Sequence, residues 1–580
     1  MHGEVRSERR PGHLIVGLGL RALCAVALVA LAYRMTIGVD LSDESYYVTF
    51  LDGWLKDKLG HGENLVVHQT AALLVFPAAR LYTWIVGSER GLVLFLRGIF
   101  LAMACVASFC QYRFIRRLRD EAVARLSALL VLCFIPFSLP APSYNTIGMF
   151  GMLSALALFG AAALPPRQAA DRSIVAILSG FAWMITVVAY PTLLVALLAL
   201  LVLALFAARD RAERLHLLGY AMICAFFQFV GACVLLAVFG WTRLWEILRF
   251  SSAAMQIAET MSAKFAQSLD LFAEHRAFGA LCLAAAALGL WLLASGRGRR
   301  RHIWPTAFVV AIVVASYVTG TALWLQPHDI VVLFALTGLF MMQTSGHPDG
   351  QPVIGVIYAT SLIGGLITAA TSDTGIHNFP TGGLTAAVLA PALLVPRDAP
   401  GRTVAAQCGM LLLTALLFCG SALANVYGET ANPLTARSVR IDDGVFAGLL
   451  TNADQAEFIA AATAALGERL GRGKTMLVLG RPAGIYLLTD ASPMTPSTWD
   501  FWQFHGSLPP QMNAQMAAFY REATHRPDLV AVFTDPATYP LAPWARDLLR
   551  SYVATDRVSV GRRSLELYER CGGPACPGAP

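Results

Sequence analysis

Residues 14–33 read LIVGLGLRALCAVALVALAY, and residues 34–48 continue RMTIGVDLSDESYYV. The first block holds one charge, Arg21, in a run long enough to cross roughly 30 Å of hydrocarbon as a helix. The second block turns acidic and aromatic at once. Similar apolar runs recur at Gly91–Cys110, Leu217–Phe239 and Val404–Ala424. With 56% hydrophobic residues, 14% charged residues and a mean hydropathy of +0.58, a water-soluble globule of 580 residues is excluded. Alternating segments of about ten residues, which a membrane barrel requires, are not visible. The formal charge of +7 forms no basic stripe with interleaved aromatics, so no nucleic-acid partner is expected.

Arginine placement predicts topology, because short cytoplasmic loops are enriched in Arg and Lys. Clusters at Arg6–Arg10, Arg113–Arg119, Arg167–Arg172, Arg209–Arg214, Arg297–Arg301 and Arg397–Arg402 all read as inside. An even number of crossings must separate successive clusters. The long stretch after Arg172 therefore reverses near Tyr190-Pro191, where proline breaks a helix. By the same rule Leu65–Val86 does not cross. It reads as a juxtamembrane or re-entrant helix interrupted by His68, Pro77 and Arg80. The sum is a polytopic α-helical membrane protein of about thirteen transmembrane helices, with an inside N-terminus and an outside C-terminus. The first run lacks a small-residue cleavage site, so a signal peptide is not expected.

From about Val426 the chain becomes polar and richer in acids. The expected organisation is a membrane domain over 1–425, with its first outside loop at 34–90, and a small extracytoplasmic α/β domain over 426–580. Within the latter, Thr451–Leu470 has helical spacing with Asn452 as cap, Lys474–Leu479 and Leu529–Phe533 look like buried strands, and Tyr552–Tyr568 alternates like a hairpin. Gly480–Tyr486 lacks the Lys-Ser or Lys-Thr of a phosphate loop and reads as a strand-to-helix turn. Of eleven cysteines, all but Cys571 and Cys576 fall in predicted spans. Those two suit either a small disulfide loop in an oxidising compartment or free thiols.

Polar groups concentrate in the outside loops. The first contains Asp40, the adjacent Asp43 and Glu44, then Tyr46, Tyr47 and Trp54, with His68 beyond. A second patch, residues 372–383, offers Asp373, His377 and Asn378 among glycines. A third, Pro142–Thr146, offers Tyr144 and Asn145, either as a helix cap with an interfacial tyrosine or as pocket residues.

The Asp43-Glu44 pair with Tyr46-Tyr47, in the first outside loop of a protein with about thirteen spans, resembles the C-type (GT-C fold) glycosyltransferases that use polyprenyl-phosphate sugars. Within that group it is most similar to the protein mannosyltransferase and aminoarabinose transferase branch. Gly87-Ser88 followed by Leu96-Arg97 extends the pattern. A Pro-Pro-Leu step common in the group is replaced by Val67-His68-Gln69-Thr70.

The resemblance implies transfer of a sugar from a polyprenyl-phosphate carrier, with inversion, to a hydroxyl on a cell-envelope glycan, lipid or protein. The carrier's lipid tail would lie among the helices. Asp43 is the expected catalytic base and Glu44 its helper. Arg97, Arg249 and His377 are the expected donor-phosphate contacts, and Tyr46, Tyr47, His68, Tyr144, Asn145 and Asn378 the substrate contacts. A divalent metal is an open possibility. The expected location is a bacterial inner membrane, with the N-terminus cytoplasmic and the C-terminal domain periplasmic. A transporter, a lipid-linked sugar flippase or a noncatalytic assembly subunit is the alternative. Transporters usually place decisive charges near the midplane and show related halves, and neither pattern is seen.

Overall fold

The computed structural model describes residues 11–56, 67–164, 169–257, 327–344, 351–372, 374–393, 395, 401–427, 439–499, 510–535 and 540–571. Its helices, in chain order, are α1 (Pro11–Met35), α2 (Asp43–Leu55), α3 (Gln69–Val86), α4 (Leu92–Leu118), α5 (Glu121–Cys133), α6 (Tyr144–Ala163), α7 (Ala169–Ala189) and α8 (Leu194–Ala207). There follow α9 (Arg211–Ile257), α10 (Pro327–Thr344), α11 (Gln351–Ala370), α12 (Pro380–Leu393) and α13 (Gly401–Ala424). Among the described residues seven helices are long and apolar enough to cross a membrane, and three shorter apolar helices accompany them. The chain is a polytopic α-helical membrane protein. The expected count of about thirteen includes the stretch 258–326, which lies outside the described residues.

Leu18, Val26 and Val29 on α1, and Met222, Phe226 and Phe229 on α9, are exposed, as lipid-facing side chains must be. The opposite helix faces bury one continuous apolar core running through α1 and α4 to α13. Close helix crossing is bought with small residues. A Cβ on Gly382 of α12 would stand 2.1 Å from the Gly364 carbonyl carbon of α11, so only glycine permits that approach.

The helix break at Tyr190-Pro191 occurs where the sequence places it: α7 stops at Ala189, a short 3-10 turn covers Pro191–Leu193, and α8 begins at Leu194. Leu65–Val86 yields α3, which is absent from the helices able to cross. One expectation is corrected: Pro77 and Arg80 do not interrupt this helix but sit inside it. The Pro77 ring is exposed, so the carbonyl that loses its N–H partner is on the solvent or headgroup side. Beyond Gly240, which has φ +70° and ψ 164°, α9 bends and continues to Ile257.

The C-terminal part forms a five-stranded sheet in the order β4-β3-β5-β7-β6, from β3 (Thr475–Leu479), β4 (Ser492–Pro493), β5 (Leu529–Thr534), β6 (Tyr552–Val560) and β7 (Arg563–Arg570). β3 runs parallel to β4 and β5, while β5-β7 and β7-β6 are antiparallel. Helix α14 (Ala453–Gly467) packs on this sheet, and Asn452 caps it by accepting the Gln455 N–H at 2.8 Å. Two further helices, α15 (Pro510–Arg521) and α16 (Pro543–Leu549), complete the layer. The strands at 475–479 and 529–534, the helix and the hairpin thus fall where periodicity and capping place them. Cys571 is disulfide-bonded, and Cys576 lies outside the described residues.

A two-stranded ribbon, β1 (Val439–Arg440) with β2 (Leu450–Thr451), joins the two parts. Gly38 N–H donates to the Leu450 carbonyl and Leu450 N–H to the Thr36 carbonyl, both at 2.7 Å. Gly91 and Val93 donate to the carbonyls of Gly444 and Val445, and Gly484 donates to that of Leu41 at 2.7 Å. The sheet domain is therefore bonded through backbone to both ends of the first loop.

Candidate active site at the first loop

Helix α2 starts immediately after the acidic string because Asp40 organises its first turn. The Asp40 carboxylate accepts Ser42 N–H at 2.7 Å, Ser42 Oγ at 2.5 Å and Glu44 N–H at 2.7 Å, which satisfies amide donors that a helix start leaves over. Burial pushes the Asp40 carboxyl up to about 6 against those donors. Val48, Phe50 and Leu51 then anchor α2, each buried side chain contributing about 1.5–3 kcal/mol.

Adjacent positions on a helix diverge by about 100°, so Asp43 and Glu44 cannot share a task by pointing together. Glu44 turns inward and is 2% exposed. Its carboxylate takes Arg97 Nε at 2.7 Å and Nη2 at 2.5 Å, a bidentate pair between α2 and α4. The remaining Arg97 donors go to carbonyls: Nη1 to Met35 and Ile37, and Nη2 to Gly38, each at 2.9 Å. All five guanidinium N–H groups are thus used, and Arg97 has none left for a phosphate. The expectation that Arg97 meets the donor phosphate is corrected accordingly. Its charge, set in α4 beside the carboxylate of α2, is paired inside the protein.

Asp43 turns the other way and is half-buried in the first turn of α2, where the helix N-terminus favours its ionised form. Tyr427, three residues past α13, lies close enough to Asp43 for the carboxylate charge to act on its phenol. Burial first and the Asp43 charge next hold the Tyr427 phenol above its usual range, with Arg481 of the C-terminal domain opposing.

The candidate substrate residues come from four separate segments, and most of them meet. His68 stacks on Tyr144 with ring centres 3.9 Å apart, and its Nδ1 is 3.3 Å from the Tyr46 hydroxyl. Tyr47 and Tyr144 are 5.9 Å apart, and Tyr144 and Tyr190 5.2 Å apart. Asn378 Nδ2 donates to the Tyr190 hydroxyl at 3.0 Å, so this buried amide enters the cluster as a support for Tyr190. A capping box at Ser143 and Thr146 sets the start of α6, which places Tyr144 and Asn145. The Asn145 Oδ1 is buried without a hydrogen-bond partner. Burial holds His68 down to about 4, so it is a neutral imidazole near pH 7.

The expected cations spread more widely. Arg249 is exposed on the bent end of α9, which touches the first loop where Ser251 Oγ accepts the Val67 N–H at 2.9 Å. His377 is beside Asn378 and lies 4.0 Å from Asp329 of α10. Asp373 lies outside the described residues.

Sequence reasoning missed three contributors. Tyr190 was legible only as the residue before a helix-breaking proline. Trp499 packs on Tyr46 with ring centres 4.7 Å apart and tilted by 59°, and its neighbour Thr498 bonds Thr49 at 2.9 Å, a contact made across some 450 residues of chain. The third is Lys56, whose Nζ meets Asp52 at 2.8 Å, Glu89 at 2.5 Å and Asp490 at 3.3 Å, joining α2, the turn before α4 and the C-terminal domain. Burial and the neighbouring Asp52 charge push Glu89 up to about 7. Among the described residues no three His, Cys, Asp or Glu side chains are arranged to hold a metal.

No protein-family model matches this chain, and no curated protein sequence matches it. Among solved structures, it is similar to the Archaeoglobus fulgidus oligosaccharyltransferase in complex with Zn and sulfate, with a TM-score of 0.49 and 12% identity over 88% of this chain and 67% of that one. It is also similar to ArnT from Cupriavidus metallidurans bound to undecaprenyl phosphate, with a TM-score of 0.44 and 13% identity over 97% of this chain and 99% of that one. At such scores and identities the likenesses fix neither a reaction nor a substrate.

Proposed function

We propose that the chain is an integral membrane glycosyltransferase that moves a sugar from a polyprenyl-phosphate carrier to a hydroxyl acceptor, with Asp43 as general base. The observation that carries this reading is the division of labour within the acidic pair. Glu44 is committed to Arg97 inside the protein, whereas Asp43 stands half-buried at the helix start, near the aromatic cluster that α2 shares with α6.

In the reaction the acceptor oxygen attacks the anomeric carbon from the face opposite the phosphate. Its proton passes to the Asp43 carboxylate as the new C–O bond forms. The bond from the anomeric carbon to the phosphate oxygen breaks, and the polyprenyl phosphate leaves with the electron pair. That group needs electrostatic stabilisation rather than protonation, a role we give to Arg249 and His377. Arg97 acts one step back, holding Glu44 and three carbonyls of the loop so that Asp43 keeps its place.

Tyr46, Tyr47, His68, Tyr144 and Asn145 form the sugar or acceptor contacts in this reading. Faces of aromatic rings suit the C–H edges of a pyranose, and the neutral His68 and the unpartnered Asn145 Oδ1 suit its hydroxyls. The acceptor is a cell-envelope glycan, lipid or protein. The location is a bacterial inner membrane with the N-terminus cytoplasmic and residues 426–580, with a Cys571–Cys576 disulfide, in the periplasm. Vesicles bearing the protein are charged with radiolabelled polyprenyl-phosphate sugars and assayed for label in endogenous polymer. Transfer supports the reading; movement of the intact carrier across the bilayer without transfer overturns it.

A further inference from the structure

We propose that residues 241–251, the part of α9 beyond its bend, are an interfacial helix that lies on the bilayer, with Trp241, Trp245 and Leu248 set into the boundary between headgroups and acyl chains. This assignment does not rest on the transfer reaction or on Asp43 as its base.

The length of α9 fixes where this part begins. As a helix, the apolar run Leu217–Phe239 extends about 34 Å, enough to cross roughly 30 Å of hydrocarbon. Phe226, Phe229, Leu236 and Val238 are exposed along it, as lipid-facing side chains are. Gly240 therefore stands at the membrane surface remote from Arg211. Its φ of +70° with ψ 164° is a backbone state that essentially only glycine adopts, and the helix changes direction there instead of running on into water.

Beyond the bend the helix has three sides. With about 100° between successive residues, Trp241, Trp245 and Leu248 share an arc of about 60°, and they are 71%, 59% and 45% exposed. Arg249, Thr242 and Glu246 occupy the next arc, which is exposed and polar. The remaining arc is held by protein. Ile247 and Ser251 are buried there, and Ser251 Oγ accepts the Val67 N–H of the first loop at 2.9 Å. Phe250 packs against the apolar cluster that the C-terminal sheet shares with α15 and α16.

A helix docked on protein in water shows one packed side and one polar side, and a helix inside the hydrocarbon shows no exposed polar arc. Three sides are expected where protein, lipid and water meet along one helix. An indole suits that depth because its ring is apolar and its N–H can donate to headgroups. Arg249, at the seam between the apolar and polar arcs, stands where lipid phosphates lie. The apolar arc follows directly on Leu236 and Val238 of the spanning part, so its occupant is the bilayer and not a second copy of the chain. This short helix thereby joins the membrane surface to both the first loop and the C-terminal sheet.

The test is depth-resolved photolabelling of the full-length protein in vesicles of phosphatidylcholine and phosphatidylglycerol, read by peptide mass spectrometry. One sample contains a phosphatidylcholine with a carbene precursor beside the glycerol, a second carries it at the acyl terminus, and a third uses a water-soluble precursor. The glycerol-level probe should label Trp241, Trp245 and Leu248. The terminal probe should label Phe226 and Phe229 and lose residues 241–248, while the aqueous probe should label Thr242 and Glu246. Terminal-probe labelling on all sides of residues 241–251 would mean that they span the bilayer, and aqueous labelling of Trp241 and Trp245 would mean that they face water. Protection of both tryptophans from every probe, with a cross-link to a second copy, would assign the face to self-association. Each of these three results overturns the proposal.

Discussion

Replacing Arg97 by Met separates the two roles that a membrane-edge arginine beside an acidic loop can have. In the structure the guanidinium gives two charge-assisted bonds to Glu44 and three bonds to the carbonyls of Met35, Ile37 and Gly38. Methionine fills much of the same volume but leaves a carboxylate that is 2% exposed without its counter-charge. Breaking one side of such a buried pair costs about 3–5 kcal/mol, far above the roughly 0–1 kcal/mol of an exposed pair. Glu44→Gln should cost less, because an amide oxygen still accepts from Arg97 and the three carbonyls still receive theirs. The double variant should recover at least about 1 kcal/mol relative to the sum of the single ones. Steric-trap unfolding in detergent micelles measures these differences, and polyprenyl-phosphate binding is measured on the same samples. If Arg97→Met unfolds at the wild-type free energy yet loses polyprenyl-phosphate binding, Arg97 faces the donor and the structural assignment is wrong.

Two further predictions concern pH and have opposite signs. His68 is held near 4, below the ordinary imidazole value, so its contribution to stability is complete above about 6.5 and is lost as pH falls through 4. His68→Gln should flatten the acid side of a melting-temperature profile, and an unchanged acid slope would refute the buried neutral state. Glu89 is raised to about 7, so its contribution is complete below its ordinary value of about 4.3 and is lost as pH rises through 7. Glu89→Gln should remove the loss on the neutral side, and a variant that still loses stability there would show that the Lys56 cluster is not its source.

Much of the architecture was legible because membrane crossing depends on length and composition, which a single sequence states directly. The helix break at Tyr190-Pro191 and the hairpin at 552–570 followed from proline and alternation. Pro77 was misread as an interruption because a proline costs a helix one hydrogen bond, and whether that is tolerated depends on which side the orphaned carbonyl faces.

The site was legible in parts. The string at 39–48 marked the loop, and His68, Tyr144 and Asn378 were singled out for their outer location and chemistry. What the string could not show is that of the two neighbouring acids one, Glu44, is committed to Arg97 in the interior while the other, Asp43, stays half-buried at the helix start. Nor could it show Trp499 and Asp490, which reach the loop only through the docking of a domain hundreds of residues away. A charge several residues into an apolar run is costly, which suits Arg97 equally to a phosphate or to an acid of the protein, and only its distances to Glu44 and three carbonyls decide for the acid.

The central claim is that Asp43 removes the acceptor proton, and Asp43→Asn tests it with the least disturbance, because it keeps the shape of the side chain and removes its basicity. Wild-type and variant protein, matched for amount in the membrane and for binding of the polyprenyl-phosphate sugar, are compared for transfer of radiolabelled sugar to endogenous polymer. General-base catalysis contributes about 10²–10⁴-fold, so transfer should fall by at least that lower figure while donor binding persists. Transfer at the wild-type rate by Asp43→Asn would contradict the account.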